Sequence, residues 1–393
     1  MQPKIKDIID LIYDSLIEWR EHIHAYPELS FKEINTSSYI ASKLKDMGVP
    51  YQSGVADTGV VALIKGLNPD KKCIALRADI DALPILEENN TSYKSKIDGV
   101  MHACGHDVHT ACLLGAAKVL SELKNEFEGT IKLIFQPGEE LLPGGASLMI
   151  EEGVLENPKV ENIFALHVFP SMDVGTVGFK TGKYMASCDE LYISVNGKGG
   201  HAALPDQSNN PIMVMADLLT SMVAYVDSLS QVNSPYIFTF GKLEAKGATN
   251  VIPKLAKAEG TFRTMDEEWR LFVHEKLNTF INDFLASNGM KGGLSIKKGY
   301  PPLINDEHIT NNAFNSAVEY LGGEKVETMD IRMTSEDFSY YSGEVPACFF
   351  RLGVRNKDLD IVHGVHHPKF DIDKRALKVG AGIMAYIAIK AMN

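Results

Sequence analysis

Apolar positions follow two different periods along the first part of the chain. At residues 4–25, 34–47 and 108–123 they recur every three or four positions, which predicts helices. Short apolar runs rich in β-branched residues predict strands at 60–66, 74–78, 130–135 and 163–168. Alternating strands and helices are typical of an α/β domain with a mostly parallel sheet, in which chemistry gathers at the carboxyl ends of the strands.

From residue 190 the pattern changes to that of a small α+β module. The predicted elements are strands at 191–196, 236–243 and 257–264, with helices at Pro211–Leu229 and 267–286. Their order is βαββαβ-like. A strand at 348–353 and a helix at 374–389 then return to the first pattern. The glycine- and proline-rich stretches 181–187 and 291–302 are the predicted boundaries of the module.

Composition narrows the class of protein. Of 393 residues, 45% are hydrophobic and 23% are charged, which excludes disordered and fibrous proteins. A net charge of −12 disfavours binding to nucleic acid or to an anionic membrane, and no apolar run reaches the roughly 18 residues of a membrane span. Five cysteines are too few, and odd in number, for a disulfide framework, which predicts a reducing, cytoplasmic setting.

Titratable and metal-binding side chains follow the predicted strands. In residues 102–109, Cys104 and His106 are separated by one glycine and lie among further histidines, a combination that suits a transition metal. The alternative is a helix N-cap formed by Asp107, with incidental histidines.

Two further strand ends carry candidate groups. Glu139 and Glu140 form either a solvated acidic turn or a pair in which one carboxylate binds a metal and the other takes a proton from water. The paired arrangement predicts hydrolysis without a covalent enzyme intermediate. His167 ends an apolar strand, either as a buried core histidine or as a further metal ligand.

Four motifs occur together along the chain. They are His-Ala-Cys-Gly-His-Asp at 102–107, Gln-Pro-Gly-Glu-Glu at 136–140, Gly-Lys-Gly-Gly-His-Ala-Ala-Leu-Pro at 197–205, and Ser-Glu-Asp-Phe at 335–338. In combination they resemble the amidohydrolase branch of the aminoacylase/carboxypeptidase metallopeptidases, and the resemblance runs nearly end to end. That branch includes N-acyl-amino-acid amidohydrolases, hippurate hydrolases, auxin-conjugate hydrolases and N-acetyldiaminopimelate deacetylases.

The resemblance implies a fold and a domain order. A di-metal peptidase-like α/β catalytic domain, with a mostly parallel mixed sheet, would span residues 1–184 and 299–393. An inserted α+β lid and dimerisation domain would span residues 185–298. A homodimer, or a homo-oligomer built from dimers, would form through the insertion.

The resemblance also implies the active-site residues. Two divalent ions, zinc or manganese with cobalt or nickel as further candidates, would be bound by Cys104, His106, Glu140, His167 and His366. Glu139 would be the general base, and Asp81 would orient a metal-binding group. Asp79 stands where other branches have a ligand histidine, so its role is open, and the neighbours His363 and His367 leave the register of the last ligand open.

Substrate contacts are implied in the insertion. His201 would polarise the scissile carbonyl, and Asn250 and Arg263 would bind substrate, because arginine is the natural partner of a free carboxylate. The alternative for Arg263 is an ordinary surface arginine.

The implied reaction is hydrolysis of the amide bond of N-acyl-L-amino acids to a carboxylate and a free amino acid. One alternative is a metallo-dipeptidase or carboxypeptidase, and another is an inactive relative that binds acyl-amino acids or acts as a scaffold. The expected partner is a small N-acyl amino acid or short peptide, with no nucleic acid or membrane. Neither the acyl group, the amino acid nor the state of the lid follows from the sequence.

Overall fold

The computed structural model describes residues 1–230 and 234–392, which divide into two compact units. The first unit comprises Met1–Lys183, Ile304–Asp330 and Asp337–Asn393, and the second comprises Tyr184–Leu303 and Ile331–Glu336. Each unit has its own hydrophobic core. The predicted insertion at 185–298 falls inside the second unit, which also takes in residues 331–336.

The helices and strands of the described residues have the following bounds. The helices are α1 Gln2–Leu11, α2 Tyr13–Ala25, α3 Ile34–Asp46, α4 His106–Glu122, α5 Gly145–Glu151, α6 Pro211–Leu229, α7 Glu267–Ser287, α8 Glu307–Leu321, α9 Ser339–Glu344 and α10 Arg375–Met392. The strands are β1 Tyr51–Val55, β2 Gly59–Lys65, β3 Cys73–Asp79, β4 Thr130–Gln136, β5 Asn162–Asp173, β6 Val177–Phe179, β7 Gly182–Met185, β8 Asp189–Asn196, β9 Gly200–His201, β10 Tyr236–Glu244, β11 Val251–Ile252, β12 Leu255–Thr264, β13 Lys291–Lys298, β14 Leu303–Asn305, β15 Val326–Thr328 and β16 Ala347–Arg355.

The first unit is built on a mixed sheet with the strand order β1-β2-β4-β3-β5-β16-β6-β15. β4, β3, β5 and β16 are neighbours and parallel to one another, whereas β1 and β2 add to one edge as antiparallel strands. The prediction of a mostly parallel mixed sheet is confirmed. Because the parallel strands are adjacent, their carboxyl ends place successive loops at one edge of the sheet.

The main core lies on one face of this sheet. Alternate residues such as Leu76, Leu133 and Leu166 are buried in it, as the two-residue period of a strand requires. α4 and α10 cover that face and pack against each other, and α4 also packs against α2. Almost every residue of α4 is therefore buried, and its solvent-accessible residues are Lys118, Ser121 and Glu122 near its end.

The second unit is a four-stranded antiparallel sheet with the order β10-β12-β8-β13. Its principal elements follow one another as β8, α6, β10, β12, α7 and β13, which is the predicted βαββαβ order. The stretch 291–302, which the sequence offers as a boundary of the module, contains β13, which pairs along β8, and the second unit continues to Leu303. Glycine allows this pairing, since a Cβ on Gly292 would lie 2.0 Å from the Ser194 carbonyl oxygen.

One described helix, α6, is long and apolar enough to cross a membrane, judged by length and composition alone. The sequence had been expected to contain no apolar run of that length. The inner residues of α6, Met215, Leu218 and Met222 among them, belong to the core of the second unit. Only 22% of its most apolar 18-residue stretch is buried.

Other predictions differ in detail. The single helix expected at 4–25 is interrupted at Ile12, so α1 and α2 are separate. α8 was not predicted, although Asp306 caps it by accepting a hydrogen bond from the Ile309 backbone N–H. Its asparagine-rich sequence has weak helix propensity, and packing against β16 and α10 stabilises it.

Candidate metal centre and active site

The candidate site lies in the first unit, at the carboxyl ends of neighbouring strands. β3 ends at Asp79, with Asp81 two residues later, and β4 is followed by the turn that carries Glu139 and Glu140. His167 lies in β5. Strand adjacency thus brings together groups that lie up to about ninety residues apart in the chain.

The five predicted ligands come together in overlapping groups. Within each group the ligand atoms lie within 4.8 Å of one another, and the groups are Cys104 with His106 and His167, Cys104 with Glu140 and His366, and His106 with Glu139 and Glu140. Cys104 Sγ is 3.5 Å from His167 Nε2, and His366 Nε2 is 3.3 Å from Glu140 Oε1. Two adjacent donor sets therefore share the Cys104 sulfur.

Two buried polar atoms without a hydrogen bond indicate that these residues fit metal ions. His106 Nε2 and Glu140 Oε1 make no hydrogen bond to a described residue, and their nearby charged atoms are Asp79 Oδ2 at 3.7 Å and His366 Nε2 at 3.3 Å, respectively. A buried unsatisfied polar atom costs about 1–3 kcal/mol, and a cation at this position would satisfy both atoms. Thiolate, imidazole and carboxylate are the donors that zinc and its neighbours prefer.

The electrostatics of Cys104 agree with this assignment. Burial raises the pKa of its thiol well above the ordinary value, and the carboxylates of Glu140 and Glu139 raise it further. Cys104 therefore stays protonated unless a cation lies beside it, and metal binding would release the proton.

Asp81 contacts two of the predicted ligands. Its carboxylate lies 3.1 Å from His106 Nδ1 and accepts a hydrogen bond from the Glu140 backbone N–H at 3.0 Å. With Nδ1 facing Asp81, Nε2 is the nitrogen that would bind a metal, after losing the proton that it carries in the metal-free protein. Burial lowers the pKa of His106, but Asp79 and Asp81 outweigh burial and raise it to about 10.

His109 has a role that the sequence did not reveal. Its Nδ1 lies 2.5 Å from Asp79 Oδ1, and its Nε2 accepts a hydrogen bond from the Val168 backbone N–H at 2.9 Å. With both nitrogens engaged, His109 is an anchor for the middle of β5, where His167 lies, although the sequence had predicted that the strand ends there. His167 Nδ1 in turn donates to the Val168 carbonyl at 2.8 Å, which leaves Nε2 facing Cys104.

The structure answers the question that the sequence left open about Asp79. One of its oxygens faces His109, and the other accepts a hydrogen bond from Arg77 Nη1 at 2.7 Å. Burial raises the pKa of Asp79, but His106, His109 and Arg77 outweigh it and hold the pKa well below its ordinary value. Asp79 is therefore an ionised carboxylate that positions its neighbours.

His366 is held beside Cys104 by its backbone. Its φ of 63° is in the left-handed region, and its N–H donates to the Ala103 carbonyl at 2.7 Å. The neighbours His363 and His367 stack on each other at 4.3 Å, and neither joins a metal-binding group among the residues that the structure describes.

The Glu139 turn is fixed by hydrogen bonds on both sides. Glu139 is buried, and one of its oxygens lies 3.4 Å from the Asp337 backbone nitrogen. The Gly138 N–H donates to Glu33 Oε1 at 2.9 Å, and the Glu140 N–H donates to Asp81. Glu33 is fully buried and was missed, because nothing in its local sequence distinguishes it from a helix-start glutamate.

The three predicted substrate residues lie in the second unit. His201 is exposed in β9, and the Ala202 N–H next to it donates to the Asn250 carbonyl at 3.0 Å. Arg263 lies in β12, where its Nη1 donates to the Met333 carbonyl at 3.2 Å. Pairing of β9 with β11 in a two-stranded sheet brings His201 close to Asn250. Arg263 belongs to the four-stranded sheet. Their roles stay predictions.

Comparison with known proteins agrees with this geometry. Residues 75–390 match the profile of the peptidase family M20/M25/M40. The chain is 39% identical over 379 residues to the N-acetyl-L-cysteine deacetylase of Bacillus subtilis, covering 96% of this chain and 88% of that protein. It is 36% identical over 383 residues to the IAA-amino acid hydrolase ILR1-like 4 of Arabidopsis thaliana, covering 96% and 86%.

A solved structure is similar over the whole chain. The YXEP protein of Bacillus subtilis, described as a dinuclear metal binding peptidase from the M20 family, superposes with a TM-score of 0.82. It is 33% identical, and the match covers 98% of this chain and 99% of that one. Sequence match, shared fold and donor set agree, and the chain belongs to the peptidase family M20/M25/M40, as a metal-dependent hydrolase of its amidohydrolase branch.

Proposed function

We propose that the protein hydrolyses the amide bond of N-acyl-L-amino acids, with Glu139 as the general base. The observation that carries the proposal is a buried carboxylate, Glu139, grouped with His106 and Glu140 beside the donor sets that share Cys104. A base next to a hydrolytic metal centre needs this proximity. Two of the similar proteins are named for cleaving amides of acylated amino acids, which supports this substrate class.

Each residue then has a chemical task. Two divalent ions would be held by Cys104, His106, Glu140, His167 and His366, and would supply Lewis acidity and make the attacking water more acidic. Glu139 accepts the proton of the attacking water and returns it to the leaving nitrogen. Asp81 keeps His106 and Glu140 in the orientation that binding requires.

We assign substrate contacts to the second unit. His201 would donate to the oxygen that becomes negatively charged during attack, and Arg263 would bind the α-carboxylate. Asn250 would hold the same end of the substrate. The donor character of the three side chains supports this assignment, and each single alanine variant should raise KM or lower kcat without changing metal content.

Two other functions compete with this proposal. A dipeptidase or carboxypeptidase would use the same metal chemistry, and the similar structure from Bacillus subtilis is described as a peptidase. An inactive binding or scaffold protein is disfavoured, because such a protein has no need to bury Glu139 beside a metal-binding group.

A substrate panel on metal-stripped protein tests the proposal. Zinc, manganese, cobalt and nickel are added back singly, and acetyl-, benzoyl- and indoleacetyl-amino acids are assayed beside dipeptides. The proposal predicts the highest kcat/KM on an acylated amino acid, with zinc or manganese as the proposed physiological metals. Faster cleavage of dipeptides would favour the peptidase.

Glu139→Gln tests the base directly. We expect kcat to fall by about 10²- to 10⁴-fold, because the proton acceptor is lost, while metal analysis shows the wild-type content. Glu151→Gln, an exposed change on α5, is the matched control. Near-normal turnover of the Glu139 variant would overturn the assignment.

We also propose that the second unit forms a homodimer. Ile212 and Met213 are exposed apolar residues on α6, and β10 is an edge strand of the four-stranded sheet. Light scattering should show a dimer that Met213→Glu dissociates and that Leu11→Glu, a more exposed apolar site on α1, leaves intact. A monomeric wild type would contradict the proposal.

A cytoplasmic location is a further proposal, supported by five free cysteines, most of them buried. Cell fractionation tests it, and recovery outside the cytoplasm would refute it.

A further inference from the structure

We propose that Arg77 and Asp337 are positioning residues that together set the orientation of the Glu139 carboxylate. The two side chains form a buried clamp, named here the Arg77–Asp337 clamp. Neither of them is among the predicted site residues. The inference rests on the proposed role of Glu139 as the general base, and it concerns how that carboxylate is held.

Asp337 is fixed on every side by donors. Both of its oxygens accept from Gln136 Nε2, at 2.9 and 2.7 Å. One oxygen also accepts from Arg77 Nη2 at 2.8 Å, and the other accepts from the Ala146 backbone N–H at 3.0 Å. The side chain has no exposed surface, so the position of its backbone follows from these four hydrogen bonds.

Arg77 links this carboxylate to the metal-site side of the sheet. Its three donor nitrogens reach Asp337, Asp79 at 2.7 Å and Gln136 Oε1 at 2.9 Å. Arg77 and Asp79 are in β3, and Gln136 is the last residue of β4, immediately before the Glu139 turn. A planar guanidinium can make these three contacts at once, and a lysine ammonium cannot reproduce their geometry.

The clamp reaches Glu139 through the Asp337 main chain, and the Asp337 carboxylate itself lies within 4.8 Å of the Glu139 carboxylate. The Asp337 backbone N–H lies 3.4 Å from Glu139 Oε1, a long contact that a small displacement would break. Glu33 and Asp81 fix the backbone on either side of Glu139, through Gly138 and Glu140. Those bonds set the position of the turn, whereas the Asp337 N–H acts on the carboxylate itself.

A purely stabilising role explains this arrangement poorly. One guanidinium is shared by two fully buried carboxylates, Asp79 and Asp337. Replacing buried ion pairs with apolar groups is often neutral or stabilising, so the charges are an inefficient way to hold a fold together. They are an effective way to orient a neighbouring group.

Asp337→Asn tests the inference. The amide keeps the shape but places a donor against Gln136, Arg77 or the Ala146 N–H, which displaces the residue. We expect kcat to fall about 10- to 100-fold, as small misplacements of catalytic groups do, with KM and metal content within about 3-fold of wild type. Arg77→Lys should act in the same way but more weakly than Arg77→Gln.

A double-mutant cycle separates positioning from stability. In the Glu139→Gln background, where there is no base left to orient, Asp337→Asn should change kcat by less than about 3-fold. Asp189→Asn is the matched control, because Asp189 is equally buried and accepts from Arg270 and from the Gly299 N–H in the second unit. The effect of Asp189→Asn on kcat should multiply with the effect of Glu139→Gln on kcat.

Each result decides one question. Full multiplication of Asp337→Asn with Glu139→Gln, or loss of metal in proportion to activity, would overturn the clamp. If the Asp337 variant does not fold, the same cycle is run with Arg77→Lys. High activity of the Glu139→Gln variant alone would refute the proposed base. If that variant is inactive but the effects of Glu139→Gln and of the clamp variant on kcat multiply, only the present inference is refuted.

Discussion

Each histidine near the metal centre is distinguished by the partner of its second ring nitrogen. His106 Nδ1 contacts Asp81, and His167 Nδ1 donates to the Val168 carbonyl. In both residues the other nitrogen, Nε2, is available to the candidate metal-binding groups. Both nitrogens of His109 are engaged by Asp79 and the Val168 N–H, so neither is available to bind a metal. All three are buried, so burial alone could not separate ligand from anchor.

At this scale we predict that His366→Asn abolishes stable binding of at least one metal ion. Asparagine tolerates the left-handed backbone of residue 366, so the change removes the imidazole without adding strain. The measurement is metal content after dialysis, and His363→Asn and His367→Asn are the controls, both expected to keep wild-type content. Metal loss in either control, with full content in His366→Asn, would shift the ligand to that neighbour.

At the scale of elements, packing between helices determines what Asp107 does. The sequence offered it as an N-cap of α4, but that position is taken by Gly105, and Asp107 is a buried acceptor. Arg20 Nε donates to it at 2.7 Å, and His24 Nδ1 lies at the same distance. α2 is thereby tied to the helix that begins at His106.

This contact predicts a pH dependence. Burial and Arg20 lower the pKa of His24, but Asp107 and Glu87 outweigh them and raise it. The histidine therefore contributes stability below about pH 6.5, its unfolded pKa, and that stability is lost as pH rises through the higher folded pKa, by at most about 1.4 kcal/mol per pH unit.

Urea unfolding of metal-free protein measures this effect. Between about pH 6 and about pH 8.5, wild type should lose more unfolding free energy than His24→Gln. Parallel curves for the two proteins would contradict the assignment. Groups common to both proteins, including His106, cancel in the comparison.

The loop that leads into α5 gives a second prediction at this scale. A Cβ on Gly145 would lie 1.7 Å from the Pro137 carbonyl oxygen, so Gly145→Ala should displace the Glu139 turn. We expect a loss of about 2 kcal/mol or more in unfolding free energy, together with reduced kcat. Gly343→Ala is the control, because Gly343 is exposed in α9 and a Cβ there would meet no described atom within 4 Å, so this variant should be neutral or stabilising. Equal stability of the two variants would be the contrary result.

At the scale of the whole molecule, the two units differ in their relation to metal. Every predicted ligand belongs to the first unit, and the second unit has a separate core. Bound metal should therefore stabilise the loops around residues 104, 140 and 366 by mass action, with little direct effect on the core of the second unit.

Hydrogen exchange with and without a chelator tests this prediction. Removal of metal should increase exchange at the start of α4 and after β4, and leave α6 and β12 nearly unchanged. Zinc added back should restore protection. Equal loss of protection in both units would show that they unfold together, and no change anywhere would argue against a metal centre in the first unit.

The sequence by itself determined the order of most elements and the residues available for chemistry. Periodicity is a local property, so it revealed the strands that carry Asp79, Gln136 and His167. It did not reveal β13 and α8, because glycines and asparagines hid their periodicity and pairing or packing stabilises them.

Only the tertiary structure decided how the candidate groups are used. Arg77 and Asp337 are 260 positions apart and meet because β3 and the chain before α9 lie together in the first unit. Whether a histidine is a ligand or an anchor likewise depends on whether a residue distant in sequence contacts its second ring nitrogen. A local sequence pattern does not contain that information. Hydrogen bonds between distant segments fix the orientation of each side chain, and orientation is what metal binding and proton transfer require.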